Sequence, residues 1–203
     1  MKKDNRRFTE SLGDGYTVFT DAENTFCEDS LLLAAFSPVR ENALDLCSGC
    51  GIVALKLHQK GCRAVTAVEI NAAACELIRQ GARASHADIT VAEADVRTFC
   101  EGKYDLITCN PPYFKEGRSP VARRNEIRSE VLLTADELFG AVARLLTPDG
   151  VFCFCQREER RTELTEKLHR HGLIPCRTQL VQTKKDFPPR LFCMEVRREK
   201  WEN

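Results

Sequence analysis

Ala43-Leu44-Asp45-Leu46-Cys47-Ser48-Gly49-Cys50-Gly51-Ile52-Val53-Ala54-Leu55-Lys56-Leu57 decides the architecture. Ala43 to Leu46 reads as a short strand, Ser48 to Gly51 as a glycine turn, and Ile52 to Leu57 as the start of a helix. Strand, glycine turn and helix in that order make the nucleotide-binding unit of open α/β sheets, because glycine lets the backbone approach a ligand and the strand end lies at the crevice. Read literally, Gly49-x-Gly51-x-x-Ala54 satisfies the dinucleotide pattern, and Glu69 follows Gly51 by 18 residues at the end of the strand Ala64–Val68. A carboxylate there can accept both hydroxyl hydrogens of a ribose. The turn alone leaves the cofactor class open.

Downstream, the pattern repeats. Ala72 to Ala84 reads as a helix capped by Asn71, and Ile89–Glu93 as a strand followed by Asp95 and Val96. Asp95 also suits a cap on the turn into Arg97-Thr98-Phe99. The apolar run Leu106–Cys109 is a buried strand that ends in Asn110-Pro111-Pro112-Tyr113. Two consecutive prolines hold φ and push each preceding residue into extended geometry, so this loop is stiff and cannot continue as a helix. It presents the Asn110 amide oxygen, the Asn110 and Pro111 carbonyls and the Tyr113 ring, groups that suit a planar ring bearing an NH2. Between Lys115 and Arg128, five basic residues stand against two acidic ones. Guanidinium groups beside such a loop can grip phosphates without reading sequence.

Thr134-Ala135-Asp136-Glu137 is a capping box opening a helix that Pro148-Asp149-Gly150 stops. Val151–Cys155 reads as a strand, Glu158–His171 as a helix ended by Gly172, and Pro175–Gln182 with Leu191–Arg197 as a final strand pair. Ahead of residue 43, Gly13-Asp14-Gly15 marks a turn, Tyr16–Phe19 a short strand, and Asp29 or Ser30 a helix cap before Leu31–Phe36. At 203 residues, 30% charged and with zero formal net charge, the chain is expected to form one compact domain, and any contact with nucleic acid is local. The basic start is followed by no apolar leader segment, and no run is long enough to span a bilayer, so a cytoplasmic location is expected. The eleven cysteines sit mostly in apolar patterns, as small buried hydrophobes kept reduced. Cys47-x-x-Cys50 straddles the glycine turn with no second pair, and the four histidines lack ligand spacing, so no metal is expected.

On Asp45-Leu46-Cys47-Ser48-Gly49-Cys50-Gly51, Glu69 and Asn110-Pro111-Pro112-Tyr113, the chain resembles the S-adenosylmethionine-dependent amino-methyltransferases with an N-P-P-Y signature. That superfamily modifies adenine, cytosine and glutamine side-chain nitrogens. Asp45 ahead of Gly49 and Gly51 gives the Asp-x-x-x-Gly-x-Gly form typical of methyltransferases. The resemblance implies an α/β, Rossmann-like class I methyltransferase fold: doubly wound, seven-stranded, mostly parallel, with an antiparallel last strand. Residues 43–203 would form that domain and residues 1–42 an N-terminal extension packed on it.

For the cofactor, S-adenosylmethionine, the resemblance implies contacts from Asp45, Gly49, Gly51 and Asn110, ribose hydroxyls on Glu69, and the adenine on Asp95 and Val96. Asp29 would sit over the methionine end; relatives carry Thr-Asp there and this chain Glu28-Asp29. Asn110 and the Pro111 carbonyl would accept hydrogen bonds from the target NH2, with Pro112 stiffening the loop and Tyr113 stacking on the target ring. Phe114, the Gly117 spacing and Ala122-Arg123-Arg124-Asn125-Glu126 resemble the family that methylates N6 of the adenosine beside the anticodon in valine tRNA. A tRNA partner is therefore implied, met by Phe114, Lys115, Arg118, Arg123 and Arg124. The N-P-P-Y signature is shared with enzymes acting on release-factor glutamine and on adenine in DNA or ribosomal RNA. A non-catalytic RNA-binding scaffold that holds the cofactor is the alternative of another class.

Overall fold

Hydrogen bonding along the chain makes one twisted sheet of seven strands in the order β5-β4-β3-β6-β7-β9-β8, with a separate two-stranded ribbon. The computed structural model describes residues 6–111, 133–182 and 188–199. Of the expected site residues, Pro112, Tyr113, Phe114, Lys115, Arg118, Arg123 and Arg124 lie outside the described residues. In chain order the elements are β1 (Arg7–Gly13), β2 (Tyr16–Asp21), α1 (Glu28–Phe36), β3 (Asn42–Leu46), α2 (Ile52–Gln59), β4 (Ala64–Glu69), α3 (Ala72–Ala84) and β5 (Ile89–Glu93). They continue with β6 (Tyr104–Cys109), α4 (Ala135–Leu145), β7 (Leu146–Arg157), a single 3-10 turn (Glu158–Arg160), α5 (Arg161–Arg170), β8 (Leu173–Val181) and β9 (Leu191–Arg198).

β3 pairs in parallel with both β4 and β6. β4 continues in parallel to β5 and β6 to β7, whereas β9 runs antiparallel to β7 and β8. Strand order reverses between β3 and β6, so the connections leaving their carboxyl ends diverge and open a crevice there.

The period of two along each strand sorts its side chains between two cores. Leu44, Leu46, Ile107, Cys109, Phe152 and Phe154 pack with Leu138, Phe139 and Val142 of α4 and Leu164 and Leu168 of α5. Ala43, Leu106, Val151, Cys153 and Cys155 face the other way, onto Leu33 of α1, Leu55 and Leu57 of α2, and Leu77 and Ile78 of α3. Both faces are thus covered, which is why the central strands read as continuous apolar runs.

Local chemistry sets most of the helix ends. The Asn71 side chain accepts from the backbone N–H groups of Ala73 and Ala74 at the start of α3. Thr134 and Glu137 close the expected capping box on α4. Gly172, at φ 64°, terminates α5. α1 differs from the expectation that Asp29 or Ser30 caps it: the cap position is Cys27, with no side-chain bond to the helix, and Ser30 lies within the first turn. β1 is a second difference. It has no apolar alternation and forms by pairing with β2 through the Gly13-Asp14-Gly15 turn, all three residues at positive φ.

Candidate active site

The glycine turn crosses the top of the crevice between the end of β3 and α2. Cys47, Gly49 and Gly51 have φ of 55°, 57° and 83°, which wind the chain tightly enough for the Gly51 N–H to donate to the Ser48 carbonyl at 2.9 Å. A Cβ on Gly51 would lie 2.9 Å from Cγ2 of Ile78, so α3 can pack against the turn only where no side chain intervenes. Over Gly49 a Cβ would meet nothing within 4 Å, which leaves that backbone open to the crevice.

Asp45 braces the turn from beneath. Its buried carboxylate accepts from the Ser48 hydroxyl at 2.5 Å and from the Thr108 hydroxyl of β6 at 2.8 Å, so one side chain joins the turn to the neighbouring strand. Burial pushes this carboxyl up to about 7; the Ser48 and Thr108 hydroxyls oppose the rise, and the nearby Glu69 charge adds to it. Asp45 therefore shapes the glycine turn from below. Glu69, at the end of β4, accepts from the Gly49 N–H through one oxygen and from the Asn71 N–H through the other, each at 2.9 Å. Each oxygen keeps a further lone pair, so the carboxylate can hold the turn and still accept from a vicinal diol.

Asp95 and Val96 are placed differently. The Asp95 carboxylate accepts from the Arg97 N–H and from the Arg97 guanidinium, whose hydrogen bonds hold its pKa below the usual range. Its carbonyl receives the N–H groups of Thr98 and Phe99, which is the turn-capping role also legible in the sequence. The Val96 side chain is buried in the core with Phe99, so contact with a ligand from this residue falls to its backbone.

At the end of β6, Asn110 sits between α1 and β7. Its amide Nδ2 donates to the Ser30 hydroxyl at 2.7 Å, and its Oδ1 accepts from the Cys155 thiol at 3.2 Å. The oxygen expected to meet a target amine is thus met on one side by the Cys155 thiol. Asp29 is half-buried in the first turn of α1 and receives the Cys27 thiol at 3.5 Å. Pro111 borders a small cavity, about 20 Å³, walled by Leu133, Leu138, Phe139, Phe154, Gln156 and Leu164.

Ser30, Cys155 and Gln156 carry no signal in the sequence. They reach the site because α1 crosses the end of β6 and because β7 lies beside it, placing Cys109 level with Phe154. The Cys47 thiol meets Cys109 across adjacent strands, and burial raises Cys109 well above an ordinary thiol. Cys50 is buried, which pushes its thiol up to about 12. Among the described residues no group of three or more His, Cys, Asp or Glu is arranged to hold a metal ion, and no helix is long and apolar enough to cross a membrane.

Residues 17–171 match the model of the methyltransferase small domain. The chain belongs to that family. It is 34% identical over 171 residues to the tRNA1(Val) (adenine(37)-N6)-methyltransferase of Bacteroides fragilis, covering 80% of this chain and 72% of the relative. The enzyme of the same name from Tolumonas auensis is 34% identical over 178 residues, covering 84% and 75%. Among solved structures, a TehB-like SAM-dependent methyltransferase from Corynebacterium glutamicum superposes with a TM-score of 0.60 at 15% identity, covering 87% of this chain and 90% of that one. The sheet order with its antiparallel β9 is the class I methyltransferase fold shared across the methyltransferase small-domain family.

Proposed function

We propose that this methyltransferase moves a methyl group from S-adenosylmethionine to N6 of an adenine in RNA, the adenosine 3′ of the anticodon in valine tRNA. The observation that carries the reading is the placement of Asn110. Its amide stands at the carboxyl end of β6, one strand from the Asp45-braced glycine turn, and donates to the Ser30 hydroxyl of α1. The two curated relatives described above are named for this modification.

The described residues fit the cofactor: an open glycine backbone at Gly49, a diol acceptor in Glu69, and Asp45 holding the turn in shape. When bound, S-adenosylmethionine supplies an electrophilic methyl group on a sulfonium centre. The N6 lone pair of adenine is delocalised into its ring. Asn110 Oδ1 and the Pro111 carbonyl, accepting the two N6–H bonds off the ring plane, favour a more tetrahedral nitrogen and are placed where positive charge develops on it. Rate then comes from alignment and fixed dipoles, with no covalent intermediate on the protein. Tyr113 and Phe114 serve as stacking surfaces for a base drawn out of its loop, and Lys115, Arg118, Arg123 and Arg124 as phosphate contacts. Asp95 becomes available to the cofactor adenine once Arg97 is displaced. A cytoplasmic location accords with a tRNA substrate.

The test is a labelling panel. Purified protein with methyl-labelled S-adenosylmethionine should label total tRNA and leave DNA and release factor unlabelled. Asn110→Ala should lose about 10²–10³-fold or more in turnover while still binding cofactor. Label in release factor or DNA alone would overturn the substrate assignment, and full turnover by Asn110→Ala would overturn the mechanism.

A further inference from the structure

The proline that follows Asn110 stiffens its backbone but not the plane of its amide. The last torsion of an asparagine side chain joins an sp³ to an sp² carbon and is broad and nearly two-fold, so a half-turn exchanges the oxygen for the NH2 at little cost. For the transfer described above the two ends are opposites. The oxygen accepts from a target amine, whereas the NH2 would set donor against donor. Another contact has to decide between them.

Two side chains from different elements hold this amide. From α1, the buried Ser30 hydroxyl receives the Nδ2 hydrogen at 2.7 Å. From β7, the Cys155 thiol donates to Oδ1 at 3.2 Å. Cys155 stands there because Cys109 pairs with Phe154, so the next residues of the two parallel strands fall level, and the period of two turns the cysteine toward the α1 face, away from Phe154. It is 1% exposed, with the Asp29 carbonyl of α1 3.9 Å from its sulfur.

The two holders are not equivalent. A hydroxyl both donates and accepts, so Ser30 suits either end of the amide. A thiol 3.2 Å from an amide oxygen has one hydrogen between the two atoms. An NH2 turned toward that sulfur would need more room, as at Cys27, whose sulfur lies 3.9 Å from Nδ2. Cys155 thus breaks the symmetry that Ser30 leaves.

We propose that Cys155 is a positioning residue for the methyl transfer: its thiol holds the Asn110 oxygen on the β7 side and so fixes the direction from which that oxygen accepts a target amine hydrogen. An amide oxygen accepts along two directions in its own plane, and anchoring one of them on the thiol sets the other. This rests on the adenine-methylation reading above, through Asn110 as the acceptor.

The experiment uses the full chain with tRNA and S-adenosylmethionine. Wild type, Cys155→Val, Cys155→Ala and Cys155→Ser are compared, each also in the Asn110→Ala background, by kcat, KM for tRNA, cofactor affinity and thermal unfolding. Valine fills the site without a donor, and serine keeps a donor in a smaller, more polar side chain. Cys155→Val and Cys155→Ala should lower kcat about 3- to 10-fold, the worth of one ordinary hydrogen bond, with KM and cofactor affinity unchanged. Cys155→Ser should return kcat to near the wild-type value. In the Asn110→Ala background all three substitutions should be silent. A packing role gives the reverse order, valine active and serine impaired, and that order would overturn the assignment of Cys155 alone. So would a valine penalty that persists undiminished in the Asn110→Ala background. If the space left by Cys155→Ala unfolds the protein, the valine and serine pair still decides. Wild type inert toward tRNA, or full turnover by Asn110→Ala, would overturn the adenine-methylation reading and this inference with it.

Discussion

Replacing Asp45 by asparagine should make the cofactor-free protein more stable at neutral pH and slightly less stable in acid. The folded chain holds this carboxyl at about 7 against an ordinary value of 3.8 because burial penalises its charge more than Ser48 and Thr108 relieve it. The raised value means that the folded state binds a proton which the unfolded state has already released between about pH 4 and 7. Stability therefore falls with rising pH across that window and is level above it. A displacement of about three units at ~1.4 kcal/mol each gives ~4 kcal/mol, a large share of the ~5–15 kcal/mol that holds a typical domain together. Asparagine has nearly the same shape and no charge. Thr108 can turn its hydroxyl to the Leu44 carbonyl, 3.4 Å away, and accept from the new NH2, at a cost of about 1 kcal/mol for the rearranged bond. The expected outcome is thus a gain of ~3 kcal/mol for Asp45→Asn at pH 8 and a loss of ~1 kcal/mol near pH 4, where only the rearranged bond counts. Urea unfolding of both proteins from pH 4 to pH 8 measures it, and other titrating groups cancel in the difference. A difference between the two proteins that stays constant across this range would refute the reasoning, because it would mean that the carboxyl does not titrate in the window.

Ser30→Ala should free the Asn110 amide to rotate and lower kcat about tenfold with little change in the KM for cofactor, whereas Ser30→Thr keeps the hydroxyl and restores the rate. Steady-state kinetics of the two variants separate this from simple loss of packing. Glu69→Gln sets an NH2 against one of the two N–H groups that the carboxylate now receives, so cofactor affinity by calorimetry should weaken at least about tenfold. Gly51→Ala places a methyl 2.9 Å from Ile78 at φ 83°, and should cost about 1–3 kcal/mol in thermal or urea unfolding. Adding Ile78→Val should recover part of that loss; complete additivity of the two substitutions would show that the contact is not the cause.

The turn at Ser48–Gly51, the carboxylate of Glu69, the Asn71 cap and the Thr134–Glu137 box were all readable from residues within a few positions of one another. Each depends on backbone preference and short-range hydrogen bonds, and the same residues produce them in any tertiary setting. The apolar runs likewise announced buried parallel strands, and their alternation with helices implied the doubly wound sheet. β1 escaped notice because its polar sequence is a strand only through its partner. The start of α1 was misplaced for a related reason: the Ser30 hydroxyl meets an amide 80 residues away, where local rules would have it cap its own helix.

What the order of residues decided alone was chemistry: a stiff Asn-Pro turn, a glycine cradle and an acid at a strand end, because proline, glycine and carboxylate impose their geometry locally. Folding decided company. Parallel pairing of β6 with β7 brings Cys155 and Gln156 to the end of the strand that carries Asn110, and the crossing of α1 brings Ser30. Those neighbours are set by strand order and register, which arise from the burial of two whole faces and leave no trace in the spacing of any one motif.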